Sequence, residues 1–523
     1  MPKTERKGSM SATIVSDDIF QKLIAKHAQT LLGIAKHLSE CRSATEMMVR
    51  PLMGTLLSQS TQIEELFDAY GARSHCQWCG FRSLTAAMKH FSDASYEMLH
   101  IRYSLPNYRL LPIKRDFVKA TDETLAFTGN VLRRAAEQIL LKADQLALPV
   151  PAARPREKAY SEKLPPGRLP CRCITHRIET VAETVTLLTT AFLNLAVQSK
   201  DVRAASRAKP AEYASYLQDS VSEKRLRSLE LEFHNLQSLY DTYVSGTEAE
   251  ELDTDLPVLR GHISVVFHLL RIATLFVHHY ERHVNKRPCD SASRQAPLME
   301  GEALLNILMK YAITHISLYI DCAENLCREM LKRYAEVGQI EVPVPPYRGF
   351  HVRPSTLISR LVLHYGSEVK MSLDDESYNA ALPLDLFRAN EKINAQKRRW
   401  LAAEVVRLGL VREENGSGDD IDAVVRRIVL ALAGRSRLLL YEQPLQLPQG
   451  QISQEATLLE KVVDTMASLL AMGKIDVEAD LTAKFIGDKR VLEDIRLLAE
   501  SGYGEDKFGN NVPLPEKLGY LGR

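Results

Sequence analysis

The sequence predicts a mainly α-helical protein with one α+β module: long-helix bundles first, the module after them, and a short helical segment at the end. Three observations lead there. Apolar residues recur at three- and four-residue spacing over nearly all of residues 17–335. Near residue 338 the period shortens, and Val369, Met371 and Leu373 alternate as in a half-buried strand. Beyond Gln451 the helical spacing returns.

The helical part opens after a polar, basic stretch, residues 1–16, taken as a flexible tail. Ile19, Leu23, Leu31, Leu32 and Ile34 set the first apolar face, and Val131, Leu132, Ala135, Ile139 and Leu140 repeat it further on. Helices are expected over 18–39, 44–70, 81–103, 115–147, 174–200, 222–245, 258–285 and 300–336. Several exceed the usual length, which points to long antiparallel helices in a bundle. The last of them is apolar on a wide face (Leu304, Leu305, Leu308, Ile313, Ile316, Ile320, Leu326) and should be well buried. A Pro-rich, basic stretch divides the region, giving a first half at 17–148, a linker at 149–170 and a second half at 171–337. An α+β domain is expected at 338–445 and a helical and extended segment at 446–523, with helices near 454–473 and 488–501.

Composition narrows the function. The chain has 523 residues and a net charge of +1, so no global field draws it to nucleic acid. The longest apolar run, Ile263 to Val277, is broken by His268 and Arg271, so no membrane span is expected, and a cytoplasmic protein is the simplest reading. Eight cysteines in this length do not suggest a disulfide framework. Cys76 and Cys79 with Cys171, Cys173 and His176 offer a weak zinc set, against reduced thiols at helix ends. His279 and His283 share a helix face but lack a convincing third ligand, so no metal is assigned. No nucleotide-binding Gly-Lys-Ser/Thr loop, zinc-binding His-Glu-x-x-His helix or Gly-x-Ser-x-Gly elbow is present, and no cofactor is implied. The run Lys397-Arg398-Arg399 reads as a solvated helix face.

Gly349-Phe350-His351-Val352-Arg353-Pro354-Ser355 is the most informative stretch. Proline favours a helix's first turn, so His351 should stand just outside a helix N-terminus with Arg353 at the cap. Free amides and the helix dipole there favour negative charge. With its flanking elements, this segment resembles the active site of HPr, the histidine-containing phosphocarrier of the sugar phosphotransferase system, whose pattern is Gly-Leu-His-Ala-Arg-Pro-Ala. Ile340 to Val344 would be the first strand, Leu357, Ile358, Leu361 and Val362 the apolar face of the first helix, and 367–373 with Tyr378-Asn379-Ala380 the following hairpin. The resemblance implies an open-faced β-sandwich in which a second helix, a fourth strand and a last helix follow. Here the chain departs: it runs through Pro383–Asn390 into a long helix over 395–410, a loop, a helix over 420–433 and a strand-like Arg437 to Tyr441. A leucine, Leu382, also stands where many members of the family carry a regulatory serine.

The resemblance implies a phosphocarrier or phosphorylation-responsive regulator rather than a stand-alone enzyme. His351 would be the phosphoacceptor and Arg353 its guanidinium partner, with Pro354, Ser355 and Thr356 forming the phosphate-binding helix start. The donor would be an enzyme I-like protein or another member of that system, and the helical region would read the phosphorylated state. The alternative is a non-catalytic interaction protein whose degenerate HPr-like module packs on a helical scaffold and whose His351 is covered by other segments.

Overall fold

The computed structural model describes residues 14–41, 43, 47–152, 180–284, 297–373, 376–409, 411, 421–442, 444–447, 457–477 and 481–522. The tail, most of the Pro-rich linker, Cys171, Cys173 and His176 lie outside them. The chain divides into two compact units, Met1–Thr184 with Gln198–Leu326, and Val185–Val197 with Cys327–Arg523.

The first unit is built from long helices: α1 (Asp17–His27), α2 (Gln29–Glu40), α3 (Arg50–Ala69), α4 (Cys79–Ser104) and α5 (Phe117–Gln145). After α6 (Val181–Gln198), most of which belongs to the second unit, come α7 (Glu223–Tyr243), α8 (Asp255–His279) and the first part of α9 (Gly301–Arg333). Two helices leave α geometry, α8 through a π turn at Tyr280–Val284 and α9 through a π stretch at Leu308–Ile313. The spacing-based expectations match these helices closely, although 18–39 divides in two at Ala28. α4 lies centrally, packed on α3, α5 and α8. Its Phe81, Phe91, Met98 and Ile101 are buried with Phe67, Leu132, Ile263 and Phe276. Helix α8 approaches the Leu105–Tyr108 connection so closely that a Cβ on Gly261 would run into the Tyr108 carbonyl oxygen.

The expectation of no membrane span is corrected. Val181–Gln198, Asp255–Val284 and Gly301–Arg333 are each long and apolar enough to cross a membrane by length and composition. His268 and Arg271 break the apolar run, but the helix as a whole keeps a high mean hydropathy across these interruptions. In the second and third, 72% and 67% of the apolar window is buried, so protein covers most of that surface. The charges on α8 are also matched: Arg260 pairs with Asp241, Arg271 with Asp93 and Glu97, and His268 Nδ1 lies 2.5 Å from Glu97 Oε2.

The second unit holds the α+β module. Its elements run β1 (Val337–Pro343), α10 (Val352–Tyr365), β2 (Val369–Leu373), β3 (Glu376–Asn379) and α11 (Pro383–Leu408). Next come α12 (Ile421–Ala433), β4 (Leu438–Leu440), α13 (Leu458–Ala471), β5 (Ile475–Val477), β6 (Thr482–Asp488) and α14 (Lys489–Glu500). The main sheet has the order β1-β6-β2-β3, antiparallel throughout. Ile340, Phe485, Met371 and Tyr378 align across it. Phe485, Met371 and Tyr378 are buried, with Ile358, Leu361 and Val362 of α10 and Val491, Leu492 and Ile495 of α14. The other face carries Gln339, Ile486 and Lys370, all exposed, so the sheet is covered on one side.

The module's extent differs from the expected 338–445. The strand-like 437–441 does not join the main sheet; β4 pairs with β5 in a two-stranded ribbon. The fourth strand is β6, and α14 follows it, so the segment assigned to the C-terminal region completes the sheet. Residues from the second half of α11 through β5 form their own core around Leu401, Val405, Ile428, Val429, Met466 and Leu469. Leu438 at the start of β4 is buried in that core, which is why its apolar run does not belong to the larger sheet.

Candidate functional site

Each sequence-predicted residue of the histidine stretch lies at the start of α10. His351 is itself the N-cap, with extended backbone, and Val352 is the first helical residue. The expected placement, His351 outside and Arg353 at the cap, is thus shifted by two residues. Pro354 falls third in the helix, where its missing N–H is still one that the first turn leaves unpaired. The Ser355 N–H already donates to the His351 carbonyl at 3.2 Å, and its hydroxyl donates to the Phe350 carbonyl at 2.7 Å. The Thr356 hydroxyl donates to the Val352 carbonyl at 2.6 Å. Helix geometry therefore leaves Val352 and Arg353, not Ser355 and Thr356, as the residues whose amides open at the helix start. Ser355 and Pro354 are buried and serve the turn rather than a ligand.

The loop before the histidine is clamped from two sides. Arg348 and Gly349 both adopt positive φ, at 55° and 62°. Asn390 of α11 accepts from the Phe350 N–H at 2.8 Å, while its own Nδ2 donates to the Arg348 carbonyl at 3.1 Å. Asp476 of β5 accepts from the Arg348 N–H at 3.1 Å. The same aspartate takes the Lys397 ammonium at 2.7 Å, with both side chains under 5% exposed. Lys397 is therefore a buried ion-pair partner, which corrects its assignment to a solvated face. The pair joins α11 to β5, and Asp476 joins both to the histidine loop.

The C-terminal segment supplies what sequence reading missed. Gly502, Tyr503 and Gly504 all have positive φ, and the Tyr503 hydroxyl donates to the Pro343 carbonyl at 2.6 Å. This turn delivers Glu505, only 2% exposed, to His351, with Nε2 and Glu505 Oε1 2.6 Å apart. Arg353 Nη1 donates to the Gly504 carbonyl at 3.0 Å. The Tyr347 ring stands edge-on to the imidazole, centroids 5.4 Å apart. The Gly-Tyr-Gly-Glu string at 502–505 was the available signal, since two glycines around a tyrosine mark a tight turn, but nothing in it names its target.

The chemistry follows from the Glu505 contact. A carboxylate accepts, so Nε2 carries the proton and a neutral His351 presents its lone pair on Nδ1. The side chain is 24% exposed and remains open on part of its surface. Of the suggested zinc set, Cys76 is exposed and Cys79 is buried with its Sγ 3.7 Å from the Cys76 carbonyl oxygen. The remaining three members of that set lie outside the described residues. Comparison with family models, with curated proteins and with solved structures found no match for this chain.

Proposed function

We propose that the second unit is an HPr-like module and that His351 accepts a phosphoryl group on Nδ1. The observation that carries this reading is the imidazole held through Nε2 at the start of α10, with Arg353 two residues on. The succession strand, helix, strand, strand, helix, strand, helix, read as β1, α10, β2, β3, α11, β6 and α14, supports it, with an inserted unit between α11 and β6. In the transfer, Nδ1 attacks the phosphorus of a phosphorylated donor. The N–P bond forms as the donor's bond to phosphorus breaks, and that electron pair leaves with the donor. Glu505 orients the ring and balances the positive charge that develops on it, while Arg353 and the helix-start amides hold the phosphoryl oxygens. The donor class is an enzyme I-like phosphoprotein, and the phosphorylated state is read by the rest of the chain.

Intact-mass analysis after incubation with phosphoenolpyruvate and enzyme I tests this. Wild type should gain one acid-labile phosphate, His351→Ala none, and Arg353→Ala should label on the order of a hundredfold more slowly. No gain in wild type, with His351 shown to react with a histidine-directed reagent, would sink the proposal.

A specific observation favours a second reading, a non-catalytic interaction module: the same C-terminal turn occupies Arg353 and one edge of His351. Glu505→Ala separates the two. If Glu505 activates the ring, this variant labels at least about tenfold more slowly than wild type. If the turn masks a retired site, removing the carboxylate leaves labelling absent or lets it appear for the first time.

A further inference from the structure

The first unit brings a third histidine, His90, to the pair His279 and His283 that the sequence places on one helix face. His90 lies in the middle of α4, His279 ends α8, and His283 follows within the π turn Tyr280–Val284. His90 and His279 are 5% and 3% exposed. One ring nitrogen from each of the three lies within 4.8 Å of the others. The His90 and His279 Nδ1 atoms are 3.3 Å apart. A tetrahedral ion with bonds of about 2.0–2.1 Å to nitrogen places its ligand atoms about 3.4 Å from one another, so this pair already stands at coordination spacing. The His279 and His283 rings are stacked with centroids 5.0 Å apart, and a rotation of His283 at the end of its helix would bring its nitrogen in. A π turn at this point also fits, since such turns recur at functional sites.

We propose that His90, His279 and His283 bind a divalent transition-metal ion of the zinc class. Imidazole nitrogen suits zinc, copper, nickel and iron rather than magnesium or calcium, and three such ligands leave a fourth tetrahedral position open. Burial disfavours the charged form of all three imidazoles, and the neutral ring is the form that gives a lone pair to a metal. Lys89, Arg82 and Arg73 all act on the cluster and disfavour positive charge there. Lys89 pairs with Glu64, and Arg82 pairs with both Glu64 and Asp68, so those carboxylates offset part of that charge. His278, whose ring packs on His90 with centroids 4.8 Å apart, has its Nδ1 3.0 Å from Glu223, which adds a further negative charge beside the cluster.

The test uses the full chain, freed of any histidine tag, stripped with chelator and titrated with Co²⁺ at pH 7. A parallel sample is loaded with Zn²⁺, desalted and assayed for metal. Wild type should retain one equivalent and give the intense visible band of tetrahedral Co²⁺, and Zn²⁺ should raise its Tm. His283→Ala, at a partly exposed helix end and checked for native circular dichroism, should bind on the order of a hundredfold more weakly and lose the Tm response. The double variant Cys76→Ser with Cys79→Ser should bind as wild type does. No retained metal, equal binding by wild type and His283→Ala, or loss of binding in the cysteine variant would each overturn the proposal. The first result would mean that the 3.3 Å contact is only a hydrogen bond between neutral rings.

Discussion

Gly349 shows how tightly the histidine loop is specified. Its φ of +62° is left-handed, and a Cβ there would run into Asn390 Oδ1, the atom that accepts from the Phe350 N–H. Gly349→Ala therefore meets backbone strain and a lost clamp together. It should lower stability by about 2 kcal/mol, read as a shift in urea midpoint at unchanged slope. Asn390→Ala breaks the clamp without the strain and should cost less. Lys397 makes a different demand. Removing it as Lys397→Met leaves Asp476 buried with backbone donors only, which should destabilise the second unit by about 3 kcal/mol. A double variant that also replaces Asp476 with an apolar residue should recover part of that loss, because the uncompensated charge goes with it.

At the scale of elements, periodicity carried most of the information. The faces of α4, α5, α8 and α9 were legible because each buries one stripe over five or more turns, and a long stripe cannot be mistaken for a strand. α10 was legible for another reason: His351 and Pro354 mark its start, and Gly366, at φ +64°, marks its end. β6 was not legible. Its Ala483, Phe485 and Gly487 alternate with Lys484 and Ile486, yet it lies more than a hundred residues from β2, its partner. Nothing local tells a strand which edge will take it. Leu438 to Leu440 had the stronger apolar run and went to the smaller ribbon, where the inserted core needed it. The site divides in the same way. His351 and Arg353 could be found from a string of seven residues, whereas Glu505 and His90 reach their partners only through tertiary packing.

For the molecule as a whole, buried histidines link stability to pH. His100 on α4 is pushed down to about 4, chiefly by burial and then by the neighbouring His268, from an unfolded value of about 6.5. The folded state therefore favours the neutral ring, and the unfolded chain binds the extra proton between these two values. His100 contributes stability that is fully present above pH 6.5 and is lost as pH falls toward 4. Thermal unfolding followed from pH 7.5 to 4 should show Tm falling across that window, and His100→Gln should flatten the fall. A variant that keeps the wild-type slope would assign the acid sensitivity to other groups.

The placement of β6 also bears on how the protein is made. A ribosome releases β1, β2 and β3 well before the strand that must lie between the first two of them. Until residues 482–488 emerge, β1 has no partner and β2 offers an open edge, both exposed to other nascent chains. The neighbouring core that α11 enters also needs Ile475 and Val477 of β5, so it too is complete only shortly before β6 emerges. The sheet on which α10 packs cannot close before β6 emerges, and a chain stalled before residue 482 would present the histidine loop on an unfinished support.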